Sequence, residues 1–247
     1  MLNYLRSELY KTLKRKYTYI FTGVLVFFSF VLIMLIYGPG PELYADTMFM
    51  LLISMLPFLV VMGIAVIDIV FSDEYKNNTI RNSVSFGISR SAVYTGKLLA
   101  GLISAIVIAA VIYAAYILFS LAVLGVGEDT WSTLYKLGER TLAALPLWIA
   151  GLALSTCIFF IFKNGVIVGI VTASILFVFP QFLKVLEVTA SPVFRVVYDW
   201  QIVALLDVTA SEAMPAGTML KCYAAGAIHT GLFTLIGMLV FNRREIQ

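Results

Sequence analysis

Few side chains in this sequence could carry out chemistry inside its apolar stretches. The only histidine, His229, lies in the last apolar stretch, and Asp68, near the end of the second, is the only acid in any of them. An ionisable group within a membrane is a functional candidate because placing a charge there is costly. A helical histidine is also an ordinary hydrogen-bonding partner for its neighbours, so His229 could line a substrate pathway or only pack.

The remaining motifs give little support to an enzyme. The nearest approach to a nucleophile motif is Gly87-Ile88-Ser89, but an intramembrane hydrolase needs its serine deep in the membrane beside a histidine, and Ser89 lies in a charged loop. Cys157 and Cys222 form no metal-binding pair, and neither a His-Glu-x-x-His zinc site nor a Walker A loop is present. The sequence therefore predicts no catalytic residue, no metal and no cofactor bound by this chain.

The composition predicts an integral membrane protein. Hydrophobic residues make up 61% of the 247 residues, charged residues make up 13%, and the mean hydropathy is +0.97. Soluble domains average roughly 45–50% apolar and about 25% charged residues. The apolar runs are continuous and near or above the ~20 residues that cross a bilayer as a helix, which argues against barrel strands. They predict an all-α integral membrane fold, a single transmembrane domain over 1–247, with about six helices at 19–37, 48–71, 98–124, 141–162, 165–183 and 222–241.

Positive charge is distributed unequally between the two sides of these helices. Of the 17 lysines and arginines, all but Lys136, Arg140, Lys184, Arg195 and Lys221 fall on the side of the two termini and the 72–96 loop. Lysine and arginine concentrate on the cytoplasmic side of membrane proteins, so both termini and this loop are predicted to be cytoplasmic. The net charge of +3 is too small to suggest a nucleic-acid partner.

Three segments outside the spans have predicted structures. Residues 1–17 place Leu2, Leu5, Leu9 and Leu13 at helical spacing, which predicts an interfacial amphipathic helix, the alternative being a simple basic flank. Residues 72–96 form the largest cytoplasmic loop. Residues 184–221 are too apolar for a free external loop, so we expect either short helices that re-enter the outer leaflet or a small folded cap.

The cytoplasmic loop carries an ordered set of motifs. Glu74 precedes Thr79-Ile80-Arg81, a Gly87-Ile88-Ser89-Arg90 turn follows, and Lys97 stands at the start of the third span. This order resembles the loop of type-2 ABC transporter permeases, in which an acid precedes Thr-[Leu/Ile]-[Lys/Arg], then a Gly-[Ile/Val]-[Ser/Thr]-Arg turn and a lysine. The layout is also similar, with an N-terminal amphipathic helix, six spans and short external re-entrant helices before the sixth.

The resemblance implies the permease subunit of an ATP-driven exporter in the bacterial cytoplasmic membrane. It implies a coupling helix between spans two and three that contacts a separate ATPase subunit. Two such ATPases, which bind the ATP and Mg, and a second permease copy or a close relative complete the implied assembly. An alternative without transport is a membrane-embedded immunity protein that binds a toxin. The implied coupling residues are Glu74, Thr79, Ile80, Arg81, Gly87, Ser89 and Arg90.

The spans favour an amphipathic or hydrophobic substrate, such as a peptide, an antimicrobial or a toxin. They carry almost no charge, so a strongly charged or sugar-like substrate would find few partners within them. The resemblance places the second and fifth spans at the pathway. Met48, Met55 and Met62 of the second span are flexible and polarisable, which suits contact with varied apolar surfaces, although the same residues could be packing filler.

Overall fold

A computed structural model describes residues 2–37, 43–76, 84–162 and 164–243, and for 72–76 it describes the backbone only. Within these ranges the chain is helical without strands, as predicted. Five helices are long and apolar enough to cross a membrane, and a bent pair adds a sixth if it forms one span. The unbroken helices are the interfacial helix Leu2–Lys14, the first span Lys16–Ile36, the third span Arg90–Leu124, the fourth span Thr130–Phe162 and the sixth span Thr218–Arg243.

The bent pair, which we call the second span, consists of Ala45–Ser54 and Leu56–Lys76. The two pieces meet at Met55 with a bend of 68°. Pro57 explains the break, because it lacks the N–H that would continue the helical ladder and its ring collides with the preceding turn. The sequence predicts a span over 48–71, and the structure adds a bend to it at this proline.

The fifth span, Gly165–Thr189, changes its helical winding midway. An α-helix over Gly165–Ala173 passes into a π-helix at Ser174–Val178 and returns to an α-helix at Phe179–Thr189. A π-helix inserts an extra residue per turn and shifts which side chains face each neighbour, and it is frequent at functional sites. The span also ends six residues beyond its predicted end at 183, because the helix continues past the apolar window.

Two short helices follow the fifth span. Val193–Tyr198 has no buried residue, whereas Ile202–Ala210 buries six of its side chains. The buried helix contacts the second, fourth, fifth and sixth spans. Short helices in this segment were predicted, and the second of them packs against four spans. The buried residues are Ile202, Val203, Ala204, Leu205, Leu206 and Thr209.

The fourth span forms the centre of the domain. Two thirds of its most apolar window is buried (67%), against 6% for the first span, which lies at the edge. Small residues let its neighbours approach closely. A Cβ on Gly151 would lie 2.5 Å from a Val60 methyl of the second span, and one on Gly226 of the sixth span would lie 2.6 Å from Pro146. Such close approaches are typical of helix packing in membranes.

The N-terminal helix forms as predicted, and it also buries a side that the leucine pattern did not indicate. Tyr4, Glu8 and Thr12 are buried, whereas Leu2 and Leu13 are exposed. These three residues face the start of the third span, where the Tyr4 ring packs against Gly96 so closely that a Cβ there would lie 2.6 Å from it. The prediction treated the helix as packing only on lipid, and it missed this protein-facing side because the side is polar.

Candidate functional site

The candidate site is the base of the 72–96 loop, where the chain leaves the second span and enters the third. Glu74 lies in the last turns of the second span, and its side chain is outside the described part of the structure. Thr79, Ile80 and Arg81 also lie outside the described residues. The predicted ATPase contact of these four residues therefore stays a prediction, and the geometry below concerns the two helix ends that hold the loop.

A buried ion pair joins the interfacial helix to the third span. Lys97 is fully buried and its Nζ donates to Glu8 Oε2, while Glu8 is only 1% exposed. Lys11 Nζ lies 2.8 Å from the other carboxylate oxygen of Glu8. Burial pushes the pKa of Glu8 upward, but the Lys97 and Lys11 ammonium groups outweigh it and hold that pKa below its usual value. Glu8 therefore carries its negative charge in the folded protein.

Lys97 also contacts the end of the second span. Its Nζ lies 5.4 Å from the centroid of the Phe71 ring, within the range of a cation–π interaction. Phe71 stacks on Phe159 with ring centroids 4.6 Å apart. Phe160 contacts Phe71, Tyr94 and Phe241 at centroid distances of 5.3, 4.8 and 4.6 Å. One aromatic cluster thus joins the second, third, fourth and sixth spans at the base of the loop.

Two arginines attach the same helix ends to neighbouring backbone. The Arg15 guanidinium, at the end of the interfacial helix, donates to the Ile69 carbonyl of the second span. Arg90, the first residue of the third span, donates to the carbonyls of Phe241 and Asn242 at 3.1 and 2.9 Å. The last carbonyls of a helix lack partners within it, so Arg90 satisfies two of them and complements the negative end of the sixth span.

The Gly-Ile-Ser-Arg turn has clear local roles. Gly87 has a φ of +86°, a left-handed conformation that other residues rarely adopt. The Ser89 side chain accepts a hydrogen bond from the Ala92 N–H at 3.3 Å and so caps the N-terminus of the third span. This motif therefore forms a turn and starts a helix. These local roles account for Gly87 and Ser89 without a contact to a partner protein.

The predicted pathway residues fall in different environments. Met48 is fully buried, and its carbonyl accepts a hydrogen bond from the Tyr116 hydroxyl at 2.9 Å. Met55, at the bend, is 42% exposed, and Met62 is half-buried. His229 is half-buried, with Nδ1 2.8 Å from the Ala225 carbonyl of its own helix. The structure thus gives Met48 a packing role, whereas Met55 and Met62 keep accessible surface.

The geometry also bears on the hydrolase alternative. Arg90 contacts Phe241 and Asn242, so Ser89 lies beside that end of the sixth span. His229 is twelve residues from Phe241, or about 18 Å along a helix axis. The serine hydroxyl and the imidazole are therefore far apart, and the Ser89 side chain is already used as a helix cap.

Sequence reasoning did not find the Glu8–Lys97 pair. Lys97 was named through the family pattern, but its partner lies 89 positions earlier in the chain. One signal was present, because Glu8 is the only acid among the first 17 residues, which contain five lysines and arginines. A lone acid in a basic helix indicates a specific partner, although the sequence does not say which one.

One comparison with known proteins identifies the family. The family described as ABC-2 family transporter protein matches residues 4–181. This match covers most of the chain, so the protein belongs to that family and is a multi-pass membrane permease component of an ABC transporter. It is a transport subunit rather than the catalyst, and members of this family generally pair with an ABC ATPase. No curated protein was found to match the chain.

Proposed function

We propose that this chain is the permease of an ATP-driven exporter that moves an amphipathic or hydrophobic substrate out across the bacterial cytoplasmic membrane. ATP and Mg bind to two separate ATPase subunits, and a second permease copy or close relative completes the transporter. The proposal rests on the contacts observed at the base of the 72–96 loop. There Glu8, Lys97, Arg15 and Arg90 connect both ends of the loop to two other helices, the interfacial helix and the sixth span.

This arrangement suits the transfer of movement from a soluble partner. A push on the loop reaches the second span through the backbone and the third span through Ser89 and Arg90. Because the aromatic cluster joins four spans at this end, a displacement of the loop moves all four helix ends and is not lost in one flexible connection. Packed contacts of this kind transmit displacement because protein interiors are dense and deform little.

Reversal of one loop charge tests the ATPase contact. We expect Arg81→Glu to release the ATPase, or to uncouple ATP hydrolysis from transport. The permease should remain folded, because Arg81 lies outside the apolar runs of the sequence and substitutions away from the core usually change stability little. The measurement is the yield of copurified ATPase together with ATPase activity in the reconstituted complex. Arg195→Glu is the control, since Arg195 is exposed in the segment after the fifth span and makes only a 3.8 Å ion pair with Glu187. Equal yield and coupling in both variants would refute the contact.

The proposed orientation has its own test. We expect a cysteine placed at Asn78 to react with an impermeant thiol reagent only in inverted vesicles, and one placed at Glu128 only in intact cells. Glu128 is exposed in the connection between the third and fourth spans. The background carries alanine at the two native cysteines, Cys157 and Cys222, which are both buried. Labelling of position 78 from outside intact cells would place the loop and both termini on the external side and would contradict the proposed orientation.

The substrate class is tested with the reconstituted complex. We expect amphipathic peptides and hydrophobic drugs to stimulate ATP hydrolysis, and polar glycans to have no effect, because the spans offer few polar partners. Replacing Met55 and Met62 with leucine should reduce stimulation by peptides, whereas Met48→Leu, at a buried position, serves as the control. Stimulation by glycans alone would contradict the substrate class. Copurification of a toxin with the chain, without any ATPase, would favour the immunity protein instead.

A further inference from the structure

A cavity of about 580 Å³ lies between the first four spans of this single chain. Phe28 of the first span, Met55, Phe58 and Met62 of the second, Ala109 of the third and Trp148 of the fourth are among its wall residues. No residue of the fifth or sixth span lines it. Phe28 and Phe58 are 61% and 58% exposed, so the cavity reaches the surface of the protein where apolar spans meet the hydrocarbon of the bilayer.

The polar groups on the wall are already engaged with the protein. The Ser29 hydroxyl donates to the Leu25 carbonyl at 2.8 Å, and the Trp148 indole N–H donates to the Leu56 carbonyl at 3.2 Å. The Tyr116 hydroxyl donates to the carbonyl of Met48. The remaining two hydroxyls, those of Thr141 and Tyr113, lie 3.5 Å from each other. A polar ligand or a water cluster would find little to bind, since ordered water needs several polar partners.

The size and location of the cavity identify the kind of occupant. Its volume falls within the roughly 300–1,000 Å³ of ligand-binding sites. An empty apolar space this large would forfeit the dispersion contacts of its walls. Within a bilayer, the molecules at hand to restore those contacts are lipids, and a flexible hydrocarbon chain can follow a space formed by four helices. The walls offer no charged side chain for a headgroup, so the ligand chemistry is purely aliphatic.

We propose that this cavity binds an acyl chain of a bilayer lipid. The site lies within one permease chain and takes its walls from the first four spans, so it shares Met55 and Met62 of the second span with the proposed pathway but includes no residue of the fifth span. The bound chain contacts the second span on both sides of its 68° bend, at Leu51 and Leu52 before it and at Phe58 and Leu59 after it. The acyl chain thereby fills the space beside the bend in the second span. It also adds contacts to the first span, of whose most apolar window only 6% is buried.

The test uses the full chain in nanodiscs that contain phosphatidylethanolamine with a diazirine in one acyl chain. After photolysis, mass spectrometry of the 102–116 segment should show labelling that saturates as the probe fraction rises, whereas lipid at the outer surface labels in proportion to that fraction. Ala109→Phe, which fills the cavity, should remove the saturable part. Ala114→Phe is the matched control, because Ala114 is exposed on the same helix and does not line the cavity.

Three outcomes would overturn the proposal. The first is labelling that rises linearly with the probe in the unmodified protein. The second is saturable labelling that Ala109→Phe leaves unchanged, with Ala105→Leu as a smaller cavity-filling variant should Ala109→Phe not fold. The third is displacement of the label by a peptide that stimulates the ATPase, which would assign the cavity to the transported substrate. A failure of the exporter proposal would leave the saturable labelling intact, so the two are distinguishable.

Discussion

Replacing Glu8 with alanine should destabilise the protein more than any other single change at the base of the loop. Lys97 is fully buried, and without Glu8 its ammonium group would lose this buried carboxylate. Removing one partner of a buried ion pair typically costs about 3–5 kcal/mol. We expect a correspondingly large fall in the thermal unfolding midpoint of the purified permease and a detached interfacial helix.

Two controls separate this effect from a general loss of charge. Lys11→Ala removes the other ammonium group near Glu8, but Lys11 is 46% exposed, so the cost should stay near the 0–1 kcal/mol of a surface pair. The double variant Glu8→Ala with Lys97→Met should be more stable than Glu8→Ala alone, since the buried ammonium group is removed together with the carboxylate of Glu8. If the double variant were as unstable as the sum of the two single ones, the pair would have no energetic coupling.

Acidification gives a second measurement of the same pair. The pKa of Glu8 is lowered in the folded protein, so its charge contributes stability above the usual glutamate pKa. That contribution is lost as the pH falls through the lowered value. The unfolding midpoint of the unmodified protein should therefore drop on the acid side more steeply than that of Glu8→Gln, which carries no titratable group at this position. Parallel acid profiles would show that folding does not lower the pKa of Glu8.

The spans could be predicted because the bilayer imposes a fixed apolar length on each of them. The same rule does not predict where a helix ends. The fourth span begins at Thr130 rather than 141, and the third begins at Arg90 rather than 98, because both helices continue into polar sequence. Hydropathy identifies the part of a helix that lies in the hydrocarbon. The positions of the helix ends depend on caps such as Ser89 and on contacts such as that of Arg90 with the sixth span.

The candidate site was predictable only in part, for a different reason. The loop motif named Lys97, Ser89 and Arg90, which the structure places at the base of the loop. Ser89 caps its own helix through the Ala92 N–H, and such a local contact can be inferred from the sequence. The contacts of Lys97 with Glu8 and of Arg90 with Phe241 join segments that are distant in the chain. Such long-range pairs leave no periodic pattern in the sequence. From the sequence alone, a buried lysine such as Lys97 cannot be distinguished from the exposed basic residues that flank a span.

A single methyl group on Gly226 should disturb the most extensive contact in the domain, that between the fourth and sixth spans. The Cβ of an alanine there would lie 2.6 Å from Pro146 Cβ and 2.7 Å from its carbonyl carbon and oxygen. These atoms cannot move aside as a flexible side chain would, because two are backbone and one belongs to a rigid ring. The two helices must therefore separate locally, and we expect Gly226→Ala to cost about 1–3 kcal/mol, as overpacking of a core typically does.

Gly231→Ala is the matched control on the same helix. A Cβ at Gly231 meets nothing within 4 Å, so the added methyl should be neutral, or stabilising by up to about 1 kcal/mol through helix propensity. The thermal unfolding midpoints of the two variants should move in opposite directions, or one should fall while the other stays unchanged. Equal midpoints would mean that the sixth span moves away from Pro146 at little cost. The fourth span would then not be the rigid centre on which the loop acts through Phe159 and Phe160.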